Sequence, residues 1–222
     1  MIFGILAAVL LVLLLIKFLA RKLRLTILER MAKNLHKPVG VLILAVAVLH
    51  LLVTLDVWDT RAAAVVATGI ATAIMLFLMA LGYILRKKLD TLWRKTHRYG
   101  ATITLALLLC HMATYNIDFV QYQKSIAAIK IQGMDAAKLQ DGTYDGEYDV
   151  GYIYAKVRVT VKDGRMEDIT ILQHDNERGK PAEAILHDII AKQHTEVDAV
   201  SGATNSSMVL KKAVEQALQM QE

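Results

Sequence analysis

Four apolar stretches, Ile2 to Ala20, Pro38 to Leu55, Ala62 to Leu85 and Tyr99 to Tyr115, restrict this chain more than any other feature. None contains an acidic residue. Each comes close to the roughly 20 residues that an α-helix needs to cross about 30 Å of hydrocarbon. Hydrocarbon offers backbone amides no hydrogen-bond partner, so a spanning segment must satisfy them internally, and for separate apolar runs that means a helix. The hydrophobic share of 55% is concentrated before Asn116, and the remainder suits one small soluble domain. The expected fold class is an all-α membrane bundle of four transmembrane helices followed by a small α+β domain. The expected boundaries are 1–117 for the membrane domain, 118–140 for a connector and 141–222 for the soluble domain.

Charge orients the spans. Arg21, Lys22, Arg24, Arg30, Lys33 and Lys37 follow the first stretch, and Arg86, Lys87, Lys88, Arg94, Lys95 and Arg98 follow the third. Such clusters mark cytoplasmic loops. The loop Asp56 to Arg61 carries two aspartates and one arginine and suits the outer side. The amino terminus and everything after Tyr115 are then expected outside the cytoplasm. Trp58 and Tyr115 fall at the outer boundary and Trp93 and Tyr99 at the inner one, where aromatic belts form. The first stretch begins without a positive charge and its basic cluster follows the apolar run, the reverse of a signal peptide, so it reads as a permanent anchor. Topology suffices to explain the formal net charge of +5, and the lipid bilayer rather than nucleic acid is the expected partner. The single cysteine, Cys110, can build neither a disulfide nor an iron–sulfur cluster within the chain.

Between the first two spans, Leu23, Ile27, Met31 and Leu35 recur every four residues among basic ones, the pattern of an amphipathic helix on the inner surface. From about Asn116 to Gln140 no strong period is present. Tyr152 to Val161 alternates as a half-buried strand, and Lys162-Asp-Gly-Arg165 turns it into a second strand, Met166 to Gln173. Pro181 opens a helix over Ala182 to Gln193. A short strand, Thr195 to Val200, is expected before the turn Ser201-Gly-Ala-Thr204, and a last helix from about Asn205 to Leu218 closes the domain.

Of the seven histidines, four recur in pairs: His36 and His50 belong to the second span as His97 and His111 belong to the fourth, each pair fourteen residues apart. Fourteen residues at about 100° each fall about 40° short of four full turns, so both histidines of a pair share nearly one helix face. They lie about 21 Å apart along the axis at about 1.5 Å per residue. One span separates the second from the fourth, so these run in the same direction, and His36 is level with His97 and His50 with His111. Two facing imidazoles at one depth can ligate a haem iron from both sides, and two such pairs stack two haems across the bilayer. Membrane histidines also cap helices or bond neighbouring side chains, and the repeated spacing favours haem over that use. His36-Lys-Pro-Val-Gly40 through His50, and His97-Arg-Tyr-Gly100 through His111, resemble the haem-binding helices of ferric reductase-like transmembrane proteins. The resemblance implies that these four histidines are the axial ligands of two b-type haems. Members of that family that oxidise NADPH carry a cytoplasmic FAD- and nucleotide-binding domain, to which nothing in these residues corresponds, so the donor is left unassigned. Lys37, Arg94 and Arg98 adjoin the inner pair and suit either haem propionates or topology alone.

In Asp198-Ala-Val-Ser201-Gly202-Ala203-Thr204, Gly202 allows a tight backbone approach, and the helix that follows, with Asn205, Ser206 and Ser207 in its first turn, offers free amides to a phosphate. Four such residues alone also suit an ordinary helix cap. The longer pattern is similar to the FMN-binding domain family, which includes the flavin-carrying subunits of sodium-pumping NADH:quinone oxidoreductase and of Rnf complexes. It comprises Asp141-Gly-Thr-Tyr-Asp-Gly-Glu147, Val159-Thr-Val-Lys-Asp-Gly164, the His174 to Pro181 loop and Asp198 to Ser207. That resemblance implies FMN joined through its phosphate to Thr204 by an exported flavin transferase, with Asp198, Ser201, Gly202 and Ala203 as recognition residues. It also implies that His174 and Gly179 face the isoalloxazine ring, from a loop whose His174-Asp-Asn-Glu-Arg-Gly179 sequence departs from the Glu-Thr-Pro-Gly form of the larger subunits. His187 and His194 read as plain surface residues.

These readings describe an oxidoreductase-type electron-transfer flavocytochrome of a bacterial cytoplasmic (inner) membrane. Electrons would pass from an unidentified inner donor through two haems to covalent FMN and on to an unidentified external acceptor. The alternatives are a membrane-anchored flavin redox sensor or scaffold, and a reductase of a specific external substrate such as ferric iron or a quinone. Four matched histidines weigh against the sensor, and no catalytic acid, base or open metal site is evident for the reductase.

Overall fold

The computed structural model describes residues 2–176 and 178–219, so Glu177 of the His174 to Gly179 loop lies outside the described residues. The chain divides into two compact units, residues 1–116 and 117–222.

The first unit is helical. Its elements are α1 (Ile2–Lys22), α2 (Thr26–Thr54), a 3-10 turn (Leu55–Thr60), α3 (Ala63–Ile84) and the start of α4 (Arg86–Ala128). All four helices are long and apolar enough to cross a membrane. Large apolar side chains point outward along them, among them Val9, Phe18, Val41 and Phe77, a surface that water would penalise and lipid accepts. Leu10 of α1 packs with Ile43 and Val46 of α2 in a small buried cluster.

Two boundaries differ from the sequence reading. The amphipathic segment is not a separate surface helix, because Ile27, Met31 and Leu35 lie on the same unbroken α2 as His50. Pro38 stands inside that helix. It lacks one N–H, but the remaining ladder carries the helix through, as is common in membrane spans. The fourth span likewise belongs to a longer helix, α4, whose only non-helical residue is Asp90 (φ 43°, ψ −117°).

The second unit holds a three-stranded antiparallel sheet in the order β1 (Gly142–Asp149), β2 (Tyr154–Lys162), β3 (Arg165–Asp175). Central β2 turns Ala155, Val157, Val159 and Val161 into the core, and Lys156 and Arg158 point away from it. The expected Asp163-Gly164 turn joins β2 to β3, both residues at positive φ as a two-residue hairpin turn requires. Sequence reading missed β1, whose two glycines and three acidic residues have low strand propensity. Pairing with β2 supplies what propensity lacks, and Arg158 clamps Asp145 across the pair with contacts of 2.6 and 2.8 Å. Beyond β3 the chain forms a 3-10 turn (Lys180–Ala184) and then α5 (Ile185–Lys192), shorter than the expected helix from Ala182.

Helix α6 (Thr204–Gln219) lies across the sheet and buries Val209, Leu210, Ala213, Val214 and Ala217 completely. Contact with β1 is so close that a Cβ at Gly146 would fall onto the backbone of Ala213 and Ala217.

The expected strand Thr195 to Val200 does not form. Its polar groups are taken elsewhere: Thr195 N donates to Met134 O at 3.0 Å, Val200 N donates to Ser207 Oγ at 3.1 Å, and Val197 O accepts from Lys211 Nζ at 2.9 Å. With these bonds made, the segment has nothing to gain from a sheet edge. Burial pushes the Lys211 ammonium below the usual lysine range, against the opposing pull of Asp198 and Glu215.

One carboxylate organises this side of the unit. Glu215 is fully buried. Its Oε1 accepts from Gln132 N (2.7 Å), Gly133 N (3.0 Å) and Thr195 Oγ1 (2.9 Å), and its Oε2 accepts from Lys212 Nζ (2.9 Å). Residues 129–140, aperiodic in sequence, are thus fixed by polar bonds to α6 and by burial of Ile129 and Ala136. Truncating Glu215 to alanine removes a buried anion and orphans its donors, which should lower the stability of this unit by about 3 kcal/mol. Hydrogen exchange of the sheet amides in the full chain would report the loss; unchanged protection would show the carboxylate to be dispensable.

Candidate functional site

The turn at Ser201 to Thr204 is set by backbone geometry. Gly202 has φ +77°, the left-handed region that side chains disfavour, and open space surrounds its missing Cβ. Ala203 N closes the turn on Val200 O at 3.0 Å, and Ala203 is buried. Ser207 N donates to Ala203 O at 2.9 Å as α6 begins. Amides in the first turn before it have no intrahelical acceptor and carry the positive end of the helix dipole.

The hydroxyls there are not equivalent. Ser206 and Ser207 are buried, and Ser207 Oγ bonds Ala203 O at 3.0 Å, whereas Thr204 is exposed at the head of α6. Thr204 opens onto a cleft of about 340 Å³ that Gly202, Ala203, Asn205 and Ser206 line from one side and Asn176, Arg178 and Gly179 from another. Tyr122 and Ile153 complete it. Asn205 Nδ2 donates to Tyr122 Oη at 2.8 Å. Asp198 and Ser201 are exposed and stand outside the cleft wall.

The loop before the 3-10 turn reaches the cleft through other residues than His174. That side chain is 2% exposed and its Nδ1 lies 3.0 Å from Glu183 Oε1, while its Nε2 is buried without a hydrogen-bond partner among the described residues. Asn176, Arg178 and Gly179 form the wall instead. Gly179 N donates to Asn176 O at 2.6 Å, and a Cβ on Gly179 would overlap the Ser206 side chain.

A second cleft, of about 450 Å³, lies between β3 and α5, lined by Asp168, Glu183 and His187 among apolar residues. Its carboxylates would repel a phosphate, so greater volume does not make it the better site. His187 is exposed there, and His194 accepts from Glu196 N at 3.1 Å within its own loop.

In the first unit, α2 carries His36 and His50 and α4 carries His97 and His111. The rings of His36 and His97 meet, with centroids 5.9 Å apart and planes at 84°. Trp93 covers His97 at 4.8 Å. Each ring of the other pair packs on a glycine: a Cβ at Gly4 would lie 3.1 Å from the His50 ring, and one at Gly69 would lie 3.1 Å from that of His111. The Nδ1 atoms of His36, His50 and His97 are buried with no hydrogen-bond partner among the described residues. His111 differs, its Nδ1 lying 3.1 Å from Val65 O and 3.2 Å from Thr68 Oγ1. No group of three or more metal-ligating side chains is found among the described residues.

Residues 151–219 match the family model of the FMN-binding domain. An uncharacterized protein of Treponema pallidum (strain Nichols) is similar, 31% identical over 93 residues that cover 40% of this chain and 26% of the relative. The matching part of the chain thus spans about a quarter of that relative's length. No solved structure matches. The FMN-binding match includes every residue of the Thr204 cleft except Tyr122.

Sequence reading missed Tyr122, Asn176, Arg178, Val65 and Thr68. Only Phe119 and Tyr122, three apart on one helix face, left a legible trace. Gly179 has φ −84°, open to any residue, so only space excludes a side chain there. Gly179→Ala should therefore force the loop off α6 at a cost of about 1–3 kcal/mol. Faster hydrogen exchange confined to residues 178–184 and the first turn of α6 is the expected result, and exchange at the native rate would mean the loop yields without strain.

Proposed function

We propose that this protein is a membrane flavoprotein that moves electrons across a bacterial cytoplasmic membrane, with FMN esterified to Thr204 and two b-type haems held by His36 with His97 and by His50 with His111. The observation that carries the reading is an exposed threonine hydroxyl at the head of a helix, inside a cleft of an FMN-binding domain. Haem and flavin supply the redox chemistry when bound, and the protein supplies ligands, orientation and exclusion of water.

The chain's own residues suit those tasks. Thr204 offers the ester oxygen, with exposed Asp198, Ser201 and Gly202 beside it for a flavin transferase to recognise and buried Ala203 fixing the turn beneath them. Open amides at the start of α6 and the Arg178 cation favour a phosphate beside it. In the membrane unit the rings of His36 on α2 and His97 on α4 meet, which supports a group held between these two helices. His36 and His97, whose ring centroids lie 5.9 Å apart, would hold one haem iron, and His50 with His111 would hold the other. Two protein ligands per site leave the remaining positions to a macrocycle, as a bis-histidine haem requires. Val65 O and Thr68 Oγ1 hold His111 by Nδ1 and leave Nε2 as its ligating atom. Basic loops on the inner side orient the soluble domain outward. In this reading an inner donor feeds the His36 pair, the His50 pair lies on the outer side, and an external acceptor takes electrons from the flavin domain.

Pyridine haemochrome analysis of protein from haem-replete cells should find two haems b per chain. Replacing His50 or His111 by alanine should remove one of them, and replacing His36 or His97 the other; a colourless native protein would end the haem assignment. Thr204→Ala, co-produced with a flavin transferase, should lose the fluorescent flavin band that otherwise survives denaturing electrophoresis, yet keep its haem spectrum. A band that persists would move the anchor to another hydroxyl, Ser201 first because it too is exposed.

A further inference from the structure

The Thr204 cleft has one wall that the FMN-binding match does not include. Tyr122, near the end of α4, lies outside residues 151–219 and lines the same space as Thr204, Arg178 and Gly179. It is held firmly. One ring face stacks on Tyr152 with centroids 4.5 Å apart and planes at 11°, and Phe119 flanks the pair at 6.1 and 6.2 Å. Only 8% of Tyr122 remains exposed, and it lines the cleft. The Tyr122 hydroxyl oxygen accepts from Nδ2 of Asn205, the residue next to the anchoring threonine. Its own hydrogen has no acceptor among the described residues, although a buried tyrosine hydroxyl ordinarily donates as well as accepts.

We infer that Tyr122 is a flavin-contacting residue, its ring edge closing the cleft and its O–H donating to an oxygen of the bound flavin. This rests on the reading that FMN is attached at Thr204. The site in this chain is then composite: residues 151–219 bring the anchor and the loop, and the segment that precedes them brings the wall. Tyr152 supports that wall from behind and does not line the cleft.

The test compares the full-length wild type with Tyr122→Phe, Tyr122→Leu and Tyr152→Phe, all co-produced with a flavin transferase, at equal covalent FMN content by intact mass. A tyrosine in van der Waals contact quenches flavin emission far better than a phenylalanine does, and any haem quenching is common to all four proteins. Emission should rise several-fold in Tyr122→Phe and Tyr122→Leu and stay at the wild-type level in Tyr152→Phe. Tyr122→Phe keeps the ring and its stacking, so a rise there reports lost flavin contact rather than misfolding. Wild-type emission from fully loaded Tyr122→Phe would overturn the inference, as would an equal rise in Tyr152→Phe. Wild-type protein without covalent FMN would overturn the underlying flavin reading instead, and the intact mass separates the two failures.

Discussion

The soluble unit depends on how α6 is gripped. At its far end, buried Glu215 collects two backbone amides, a threonine hydroxyl and a lysine ammonium, tying α6 to the chain around Gln132 and to Thr195. Along its middle, Gly146 lets β1 approach the backbone of Ala213 and Ala217. A carboxylate inside a protein is tolerable only when its lone pairs are used, and here both oxygens accept. With axis and rotation fixed, the first turn of α6 can bury Ser206 and Ser207 and leave Thr204 outside. The selection of one hydroxyl among several is thus a consequence of packing about three helical turns away.

The membrane unit meets the same constraint with the opposite outcome. Its backbone is satisfied helix by helix, but three of the four paired histidines carry a buried ring nitrogen that no described residue bonds. Threonines in the same helices turn their hydroxyls back onto carbonyls of the preceding turn, as Thr72 does onto Thr68 O at 2.8 Å and Thr104 onto Gly100 O at 2.8 Å. Imidazoles cannot do this so readily, because the ring is rigid and stands away from its own backbone. Glycines at Gly4 and Gly69 make room for the rings rather than partners for them.

Much of the fold was legible. Apolar length gave four helices, alternation gave β2 and β3, and Asp163-Gly164 gave the turn between them, because each of these signals is local. The failures share a cause. Strand β1 has poor propensity and exists through its partner, Thr195 to Val200 looks extended but spends its bonds on side chains and on Met134, and Pro38 reads as a boundary although one absent N–H does not end a helix. Each outcome is decided by a contact distant in sequence, which no local pattern records.

For the site, the sequence by itself determined the inventory: four histidines in two matched pairs, and a threonine after Ser201-Gly202-Ala203 where only glycine suits a φ of +77°. Tertiary structure decided which members face what. It turned His174 away from the cleft and brought Asn176 and Arg178 to it, set the rings of His36 and His97 against each other, and gave His111 Nδ1 a carbonyl partner that the Nδ1 atoms of the other three lack among the described residues. It also drew Tyr122 from far earlier in the chain to the side of Thr204. Spacing along a helix or strand is written in the order of residues, because backbone geometry is fixed. Which side chain ends beside which depends on how whole elements pack, and that is settled only when the core closes.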